Sequence, residues 1–247
     1  MRWVFAVFVL WASAVLGVAN PGTARAAGDS VDVALVLVTD VSRSVHDGEF
    51  ALMKQGYGSA FTDRDVVTAI KGGAVGRIAV TYVEFAGAGE VRTVVDWTVI
   101  ADLASAEAFV ARLRAAPRSY WGRTSISGGI DHAMKELARA GFDAQRRVID
   151  VCGDGTNNHG RDVVAARDEA VEAGVTINGL SIINDNPIAW NLAHTQPPGG
   201  LTNYYRENVT GGIGTFVLEI HDFRSFGEAM KRKLLNEIAS LAQPARL

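Results

Sequence analysis

The chain has 247 residues, of which 48% are hydrophobic and 21% are charged, and its formal net charge is -3. This balance is ordinary for a globular protein, and the length is enough to bury one sizeable core. A mildly acidic protein without basic clusters is a poor candidate for binding nucleic acid. The single cysteine, Cys152, excludes an intramolecular disulfide.

The first 26 residues have the order of a secretory signal peptide. Arg2 is followed by an apolar run from Trp3 to Val18, then by a Pro-Gly turn and an A-x-A triplet at 24–26. The run is short for a membrane span, which needs about 20 apolar residues. We therefore expect an exported protein, periplasmic or secreted, that meets a membrane only through this segment. An uncleaved membrane anchor is the alternative, because a single arginine gives only a weakly basic amino-terminal region.

The remaining sequence, 27–247, predicts a single domain of alternating strands and helices. Val31–Thr39 is an almost continuous apolar run, as in a central parallel strand covered on both faces. Further strands are predicted at 77–85, 91–98, 147–152, 175–183 and 215–220, and helices at 47–61, 105–115, 125–141, 163–173 and 226–241. The order predicts an α/β fold with a doubly wound, mostly parallel sheet.

Two segments depart from simple alternation. Only a short Gly-Ala-Gly turn separates the strands at 77–85 and 91–98, which favours an antiparallel hairpin and therefore one antiparallel edge strand. Between Asn184 and Gly214 the periodicity fails. Because this stretch contains several aromatic residues, we expect a packed irregular insertion before the last strand and the terminal helix.

Polar residues follow the predicted strands where ligand sites form in an open parallel sheet, beyond the strands' carboxyl ends. Asp40, Ser42 and Ser44 directly follow the first strand, Asp154 follows a later one, and Thr124 lies at the start of a helix. Two carboxylates and several hydroxyls, without clustered Cys or His, make a hard oxygen site suited to Mg²⁺, Ca²⁺ or Mn²⁺. The structural alternative for the first three is a turn and helix cap, where Asp and Ser are common.

This set resembles the metal site of the von Willebrand factor A domain, also found in integrins, which is written D-x-S-x-S, then a distant T and a distant D. The matching residues are Asp40, Ser42, Ser44, Thr124 and Asp154, and the resemblance covers essentially the whole mature chain. The phrases DVSRSV, RRVIDVCGDGTNN and NYYRENVTGGIGTFV further resemble a group of uncharacterised exported bacterial proteins with this domain. The resemblance implies metal-dependent adhesion, in which the ion keeps one position for an Asp or Glu carboxylate of a protein partner.

Two rival functions use the same fold class. A metal-dependent hydrolase of the phosphoesterase type could use the Asp, Ser and Thr set to activate water, but the sequence shows no clear general base. A nucleotide-binding domain is disfavoured because the first strand is not followed by G-x-G-x-x-G and no phosphate-binding G-x-x-x-x-G-K-[ST] loop is present. We therefore expect a non-enzymatic protein that binds no nucleotide.

Three charged residues near the motifs have two interpretations each. Asp150 sits in a strand where most such domains have an aliphatic residue, and it either ties down a neighbouring loop or supports the metal site from behind. Glu84 either caps its strand or reaches the site through water. Arg123 is either solvated or orients an incoming carboxylate.

The polar residues after Asp154 and the histidines complete the set of candidates. Asn157, Asn158 and His159 are expected to be loop residues that satisfy backbone groups, with contact of Asn157 or His159 to a ligand as the alternative. The remaining histidines, His46, His132, His194 and His221, are scattered along the chain and indicate no zinc cluster.

Overall fold

The computed structural model describes residues 30–183 and 192–239. The predicted signal peptide and the first part of the predicted insertion, 184–191, lie outside the described residues. The strands are β1 (Ser30–Asp40), β2 (Ile78–Phe85), β3 (Val91–Ile100), β4 (Asp143–Gly153), β5 (Thr176–Ile182) and β6 (Val217–Ile220). They form one sheet in the order β3-β2-β1-β4-β5-β6, in which only the β2–β3 pair is antiparallel. The predicted mostly parallel sheet with one antiparallel edge strand is confirmed.

Helices cover both faces of this sheet. They are α1 (Asp47–Phe61), α2 (Arg64–Lys71), α3 (Leu103–Ala115), α4 (Ile126–Arg139), α5 (Val163–Glu172), α6 (Leu192–Thr195), α7 (Leu201–Tyr204) and α8 (Phe226–Ala239), with a π-helical turn at Tyr205–Val209 and a 3-10 turn at Phe223–Ser225. No helix in the described ranges is long and apolar enough to cross a bilayer. Helix α2, which Asp63 caps and which buries Val66 and Ile70, is not among the helices that the sequence predicts. One apolar pair four residues apart is too little for a visible period.

Strand β1 is apolar along its length because both of its faces are covered. Leu35 and Leu37 pack into the core with α1, α3 and α8, whereas Val36 and Val38 pack into the core on the side of α4 and α5. In a strand with one face exposed to solvent, apolar and polar residues would alternate instead. β1 therefore lies in the middle of the sheet, and the loop after it emerges between the ends of β2 and β4.

The described part of the predicted insertion packs against the protein. Leu201, Tyr205 and Val209 are buried in the core on the side of α4 and α5. These residues belong to α7 and the π-helical turn. The segment is therefore partly helical rather than irregular, and it carries its own apolar anchors. Its limits and the single mature domain over 27–247 stay predictions.

A buried ion pair joins the sheet to the terminal helix. Lys233 Nζ in α8 lies 2.9 Å from Asp150 Oδ1 and 3.5 Å from Glu237 Oε1, and all three side chains are buried. Asn178 Nδ2 donates a hydrogen bond of 2.9 Å to Glu237 Oε1. Burial raises the pKa of Asp150 and raises that of Glu237 to about 7, and the Lys233 charge opposes both shifts. Asp150 thus anchors α8, and within the described ranges it forms no hydrogen bond or ion pair with a loop or with the metal residues, as the sequence had suggested it would.

Candidate metal site

The five predicted site residues meet at the carboxyl edge of the sheet. Asp40 ends β1, and Asp154 directly follows the neighbouring strand β4. Ser42 and Ser44 lie in the loop after β1, and Thr124 lies at the amino end of α4. Four of the five are buried, and Ser44 is half-buried. The topology therefore brings together residues that are more than 100 positions apart in the chain.

The three hydroxyl groups form a continuous row. Thr124 Oγ1 donates to Ser42 Oγ over 3.0 Å, and Ser42 Oγ lies 3.0 Å from Ser44 Oγ. Ser44 Oγ in turn donates to Asp154 Oδ1 over 2.7 Å. These separations are ordinary hydrogen-bond distances, and they gather the three hydroxyl oxygens where one ion could contact several of them.

The two carboxylates are the part of the site whose chemistry best fits a cation. Asp40 Oδ1 accepts a hydrogen bond of 2.7 Å from the Ser42 N–H, but Oδ2 of Asp40 and Oδ2 of Asp154 are buried without a hydrogen-bond partner in the described ranges. Burial raises the pKa of Asp40 to about 6. Burial and the nearby Asp40 charge raise the pKa of Asp154 to about 8, which the Ser44 hydrogen bond only partly offsets. A cation that neutralises both groups would remove this cost.

Hydroxyl oxygens are the other side-chain donors beside the two carboxylates. Among the described residues, no group of three or more His, Cys, Asp or Glu side chains is arranged to hold a metal. The hydroxyls of Ser42, Ser44 and Thr124 lie next to Asp154 and to one another. All five side chains are hard oxygen donors, a set that suits Mg²⁺, Ca²⁺ or Mn²⁺.

Gly153 permits the close approach of the groups beneath the site. A Cβ at this position would lie 2.9 Å from Asp40 Cβ and 2.7 Å from the Tyr205 hydroxyl oxygen. Tyr205 is buried, its hydroxyl has no hydrogen-bond partner in the described part of the chain, and burial raises its pKa. The glycine thus brings a phenol hydroxyl and an aspartate together under the hydroxyl row.

The loop after β4 holds Thr124 in place. Asn158 Oδ1 accepts a hydrogen bond of 3.0 Å from the Thr124 N–H, and the Thr124 carbonyl accepts from the N–H groups of Asn158 and His159. Asn157 Oδ1 and His159 Nδ1 likewise accept backbone N–H groups, from α4 and from the turn between β2 and β3. These side chains satisfy backbone groups, as the sequence suggested, and so they position the site.

Two charged residues position the loops around the site. Glu84 Oε2 accepts a hydrogen bond of 2.8 Å from the Ser119 N–H, and burial raises the pKa of this carboxyl. Glu84 therefore fixes the loop that leads to Thr124. Arg118 Nη2 donates to the carbonyl oxygens of Val41 and Ser42, both at 2.8 Å. Sequence analysis missed Arg118, because nothing in a loop arginine's neighbours shows that it reaches a loop 76 residues away.

The surface around the hydroxyl row is positively charged and carries an exposed aromatic ring. Arg43 and Arg123 are exposed at its rim, so Arg123 stands where it can meet an incoming carboxylate. Trp121 is 58% exposed, and the Arg118 guanidinium lies 5.2 Å from its ring centroid. This combination of arginine and tryptophan is typical of residues that dominate binding at protein interfaces.

His194, in α6, also lies at the hydroxyl row. Its Nε2 is 3.2 Å from Thr124 Oγ1, and its Nδ1 is 3.1 Å from the Thr156 backbone nitrogen. Burial, assisted by the charges of Arg123 and Arg43, lowers the pKa of His194 to about 4. In the sequence, this histidine is one of the scattered histidines that indicate no zinc cluster. No spacing signal was available, because His194 comes 40 positions after Asp154 in the aperiodic insertion.

The sequence matches a known protein family. Residues 30–242 match the family described as "Protein of unknown function (DUF1194)". The chain belongs to this family. Comparison with curated proteins gives no match.

Solved structures show which fold this DUF1194 protein has. Proximal thread matrix protein 1 from the mussel byssus, described with a zinc-occupied MIDAS motif, is 18% identical with a TM-score of 0.57, over 85% of this chain and 48% of that protein. The von Willebrand factor type A protein from Catenulispora acidiphila is 16% identical with a TM-score of 0.54, over 85% and 43%. The von Willebrand factor domain of the type V pili tip protein Mfa5 from Porphyromonas gingivalis is 14% identical with a TM-score of 0.56, over 88% and 98%. The chain thus spans about half of the first two proteins, and its fold is the predicted von Willebrand factor A fold.

Proposed function

We propose that this protein is an exported recognition module that binds a divalent cation and, through it, an acidic group on a protein partner. The observation that carries this proposal is the row of hydroxyls at 3.0 Å spacing beside two buried carboxylates with unpartnered oxygens. No other cluster in the described ranges combines these features. Binding of this kind requires no bond-making chemistry.

Each site residue has a distinct part in the proposal. The hydroxyls of Ser42, Ser44 and Thr124 hold the ion directly, and Asp40 and Asp154 neutralise its charge directly or through water. When bound, the ion supplies an electron-poor centre that attracts an external carboxylate. The all-oxygen donor set suits Mg²⁺, Mn²⁺ or Ca²⁺, and the zinc-occupied motif of the mussel protein makes Zn²⁺ worth testing.

The rim supports an acidic partner. Arg43 and Arg123 attract a negatively charged group to the ion, and Trp121 offers apolar contact area next to it. The net charge of the whole chain is -3, so the positive charge is local. The predicted signal peptide and the likeness to a pili tip protein support a location outside the cytoplasm.

Calorimetric titration of the mature chain with Mg²⁺, Mn²⁺, Ca²⁺ and Zn²⁺ tests the metal site. Wild type should bind at least one ion, and Asp154→Asn should lose that binding while keeping the fold. Asp131→Asn is a matched control, because this carboxylate lies on α4 and pairs with Arg161 away from the site. Absence of binding by wild type at millimolar ion would contradict the proposal.

Capture of envelope proteins from an extract tests the recognition step. Capture should require the ion, stop when a chelator is added and fail with Asp154→Asn. The hydrolase alternative instead predicts metal-dependent turnover of a simple phosphomonoester such as p-nitrophenyl phosphate. Turnover that Asp154→Asn abolishes would favour that alternative.

A further inference from the structure

The hydrogen-bond partners of His194 define which ring nitrogen carries the proton. The Thr156 N–H donates to His194 Nδ1 over 3.1 Å, and it is shared with the His194 carbonyl oxygen at 3.1 Å. The Thr156 hydroxyl lies 3.0 Å from the same Nδ1 and can also donate to it. A backbone N–H cannot accept, so Nδ1 is the nitrogen with the lone pair. The neutral ring therefore carries its hydrogen on Nε2.

The contact at the other ring nitrogen, Nε2, leads to the same assignment of the hydrogen. The Thr124 hydroxyl donates to Ser42 Oγ, so its hydrogen is directed away from His194. The contact of 3.2 Å between Thr124 Oγ1 and His194 Nε2 is then a hydrogen bond that the imidazole donates. An imidazole nitrogen that carries hydrogen cannot bind a metal ion, because its lone pair is part of the ring π-system. His194 thus presents a donor, rather than a ligand, to the site.

Gly155 provides the space in which this ring sits. A Cβ at Gly155 would overlap the imidazole of His194 at Nε2, Cε1 and Cδ2. Gly155 is not among the glycines with positive φ, so its backbone conformation is open to any residue. Gly155 therefore leaves room for the ring. A larger residue at this position would displace His194 without changing a hydroxyl group of the row.

We propose that His194 Nε2–H, which donates to Thr124 Oγ1 in this structure, transfers that hydrogen bond to the carboxylate that a partner brings to the ion, and that His194 does not bind the ion itself. This inference rests on the proposed function and assigns a residue that selects the ligand. A carboxylate has two oxygens, and the one that does not contact the ion needs a donor. The imidazole N–H stands at the edge of the hydroxyl row, half-buried and next to the arginine rim.

The test separates ion binding from acid binding. The mature chain is titrated first with Mn²⁺, and the Mn²⁺-loaded protein is then titrated with acetyl-Gly-Asp-Gly amide and with its Asn counterpart. The variants are His194→Ala, His194→Gln and Gly155→Ala, with Leu192→Ala as an exposed control on the same short helix. We expect Mn²⁺ affinity within about twofold of wild type for all four. Affinity for the Asp peptide should fall about tenfold in His194→Ala and Gly155→Ala, as for loss of one hydrogen bond to a charged group.

The conservative variant distinguishes a donor from mere packing. The Gln side-chain amide can place an N–H group near the position of Nε2, so His194→Gln should recover most of the lost peptide affinity. Loss of Mn²⁺ affinity in His194→Ala would overturn the inference by making the imidazole a metal ligand. Unchanged peptide affinity in His194→Ala would overturn it by making the ring structural. Failure of wild type to bind Mn²⁺ would overturn the proposed function, and the inference with it.

Discussion

The raised pKa values of the two site aspartates predict that the metal-free protein loses stability as the pH rises. The folded-state pKa is about 6 for Asp40 and about 8 for Asp154, against 3.8 for an ordinary aspartate. At a pH between 3.8 and its folded-state pKa, each aspartate is protonated in the folded protein and ionised in the unfolded chain. Each group then removes about 1.4 kcal/mol of unfolding free energy per pH unit. From pH 5 to 7, Asp154 accounts for a loss of about 3 kcal/mol, and Asp40 adds about 1 kcal/mol between pH 5 and 6.

Urea unfolding at pH 5, 6 and 7 in the presence of a chelator measures this loss. Glu237, with a pKa of about 7, also titrates in this window, so the test is the difference between wild type and Asp154→Asn. The variant should show a slope smaller by about one proton. Saturating Mg²⁺ should reduce the loss in wild type, because the ion stabilises the charged carboxylates, and should leave the variant unchanged. Equal slopes in wild type and Asp154→Asn would refute the reasoning.

Three further predictions concern the buried ion pair of α8, the packing beneath the site and the loop after β1. Lys233→Met should lower the unfolding free energy by about 3–5 kcal/mol because it leaves a buried carboxylate unpaired, and adding Asp150→Asn should restore most of it in the same denaturation assay. Gly153→Ala should lower both the melting temperature and Mg²⁺ affinity, because its Cβ would collide with the groups beneath the site, whereas Gly72→Ala, with no contact closer than 3.4 Å, should change neither. Arg118→Met should weaken Mg²⁺ binding about tenfold in calorimetry by releasing two carbonyls of the loop after β1, and an unchanged affinity would contradict that role.

The parts of the fold that the sequence predicted are those whose pattern reflects their own burial. Strand β1 reads as apolar because both of its faces are covered, and the β2–β3 hairpin is marked by its short turn. Helix α2 was missed because it is only eight residues long and buries only Val66 and Ile70. The role of Asp150 could not be predicted, since its partner Lys233 lies 83 positions away on an otherwise amphipathic helix.

The same distinction applies to the candidate site. Asp40, Ser42 and Ser44 are close in sequence because one strand end and one loop carry them, and Thr124 and Asp154 occupy the equivalent strand and helix ends. Because ligand sites in such sheets form beyond the carboxyl ends of the strands, the sequence alone predicts that these residues lie close together. Arg118 reaches the site through side-chain contacts with carbonyl groups, which leave no periodic trace.

The residues that we propose to hold the ion and those that we propose to face a partner lie on different parts of the fold. The hydroxyls and carboxylates that would hold the ion are attached to β1, β4 and α4, whose packing in the core makes them rigid. The groups that would face a partner, Arg123, Trp121 and His194, lie on the loop before α4 and on the segment after β5. Changes in these three should therefore alter the choice of acidic ligand at nearly constant metal affinity, whereas changes at Asp40 or Asp154 should abolish both. A rim substitution that removed Mg²⁺ binding would mean that the ion site extends into the rim.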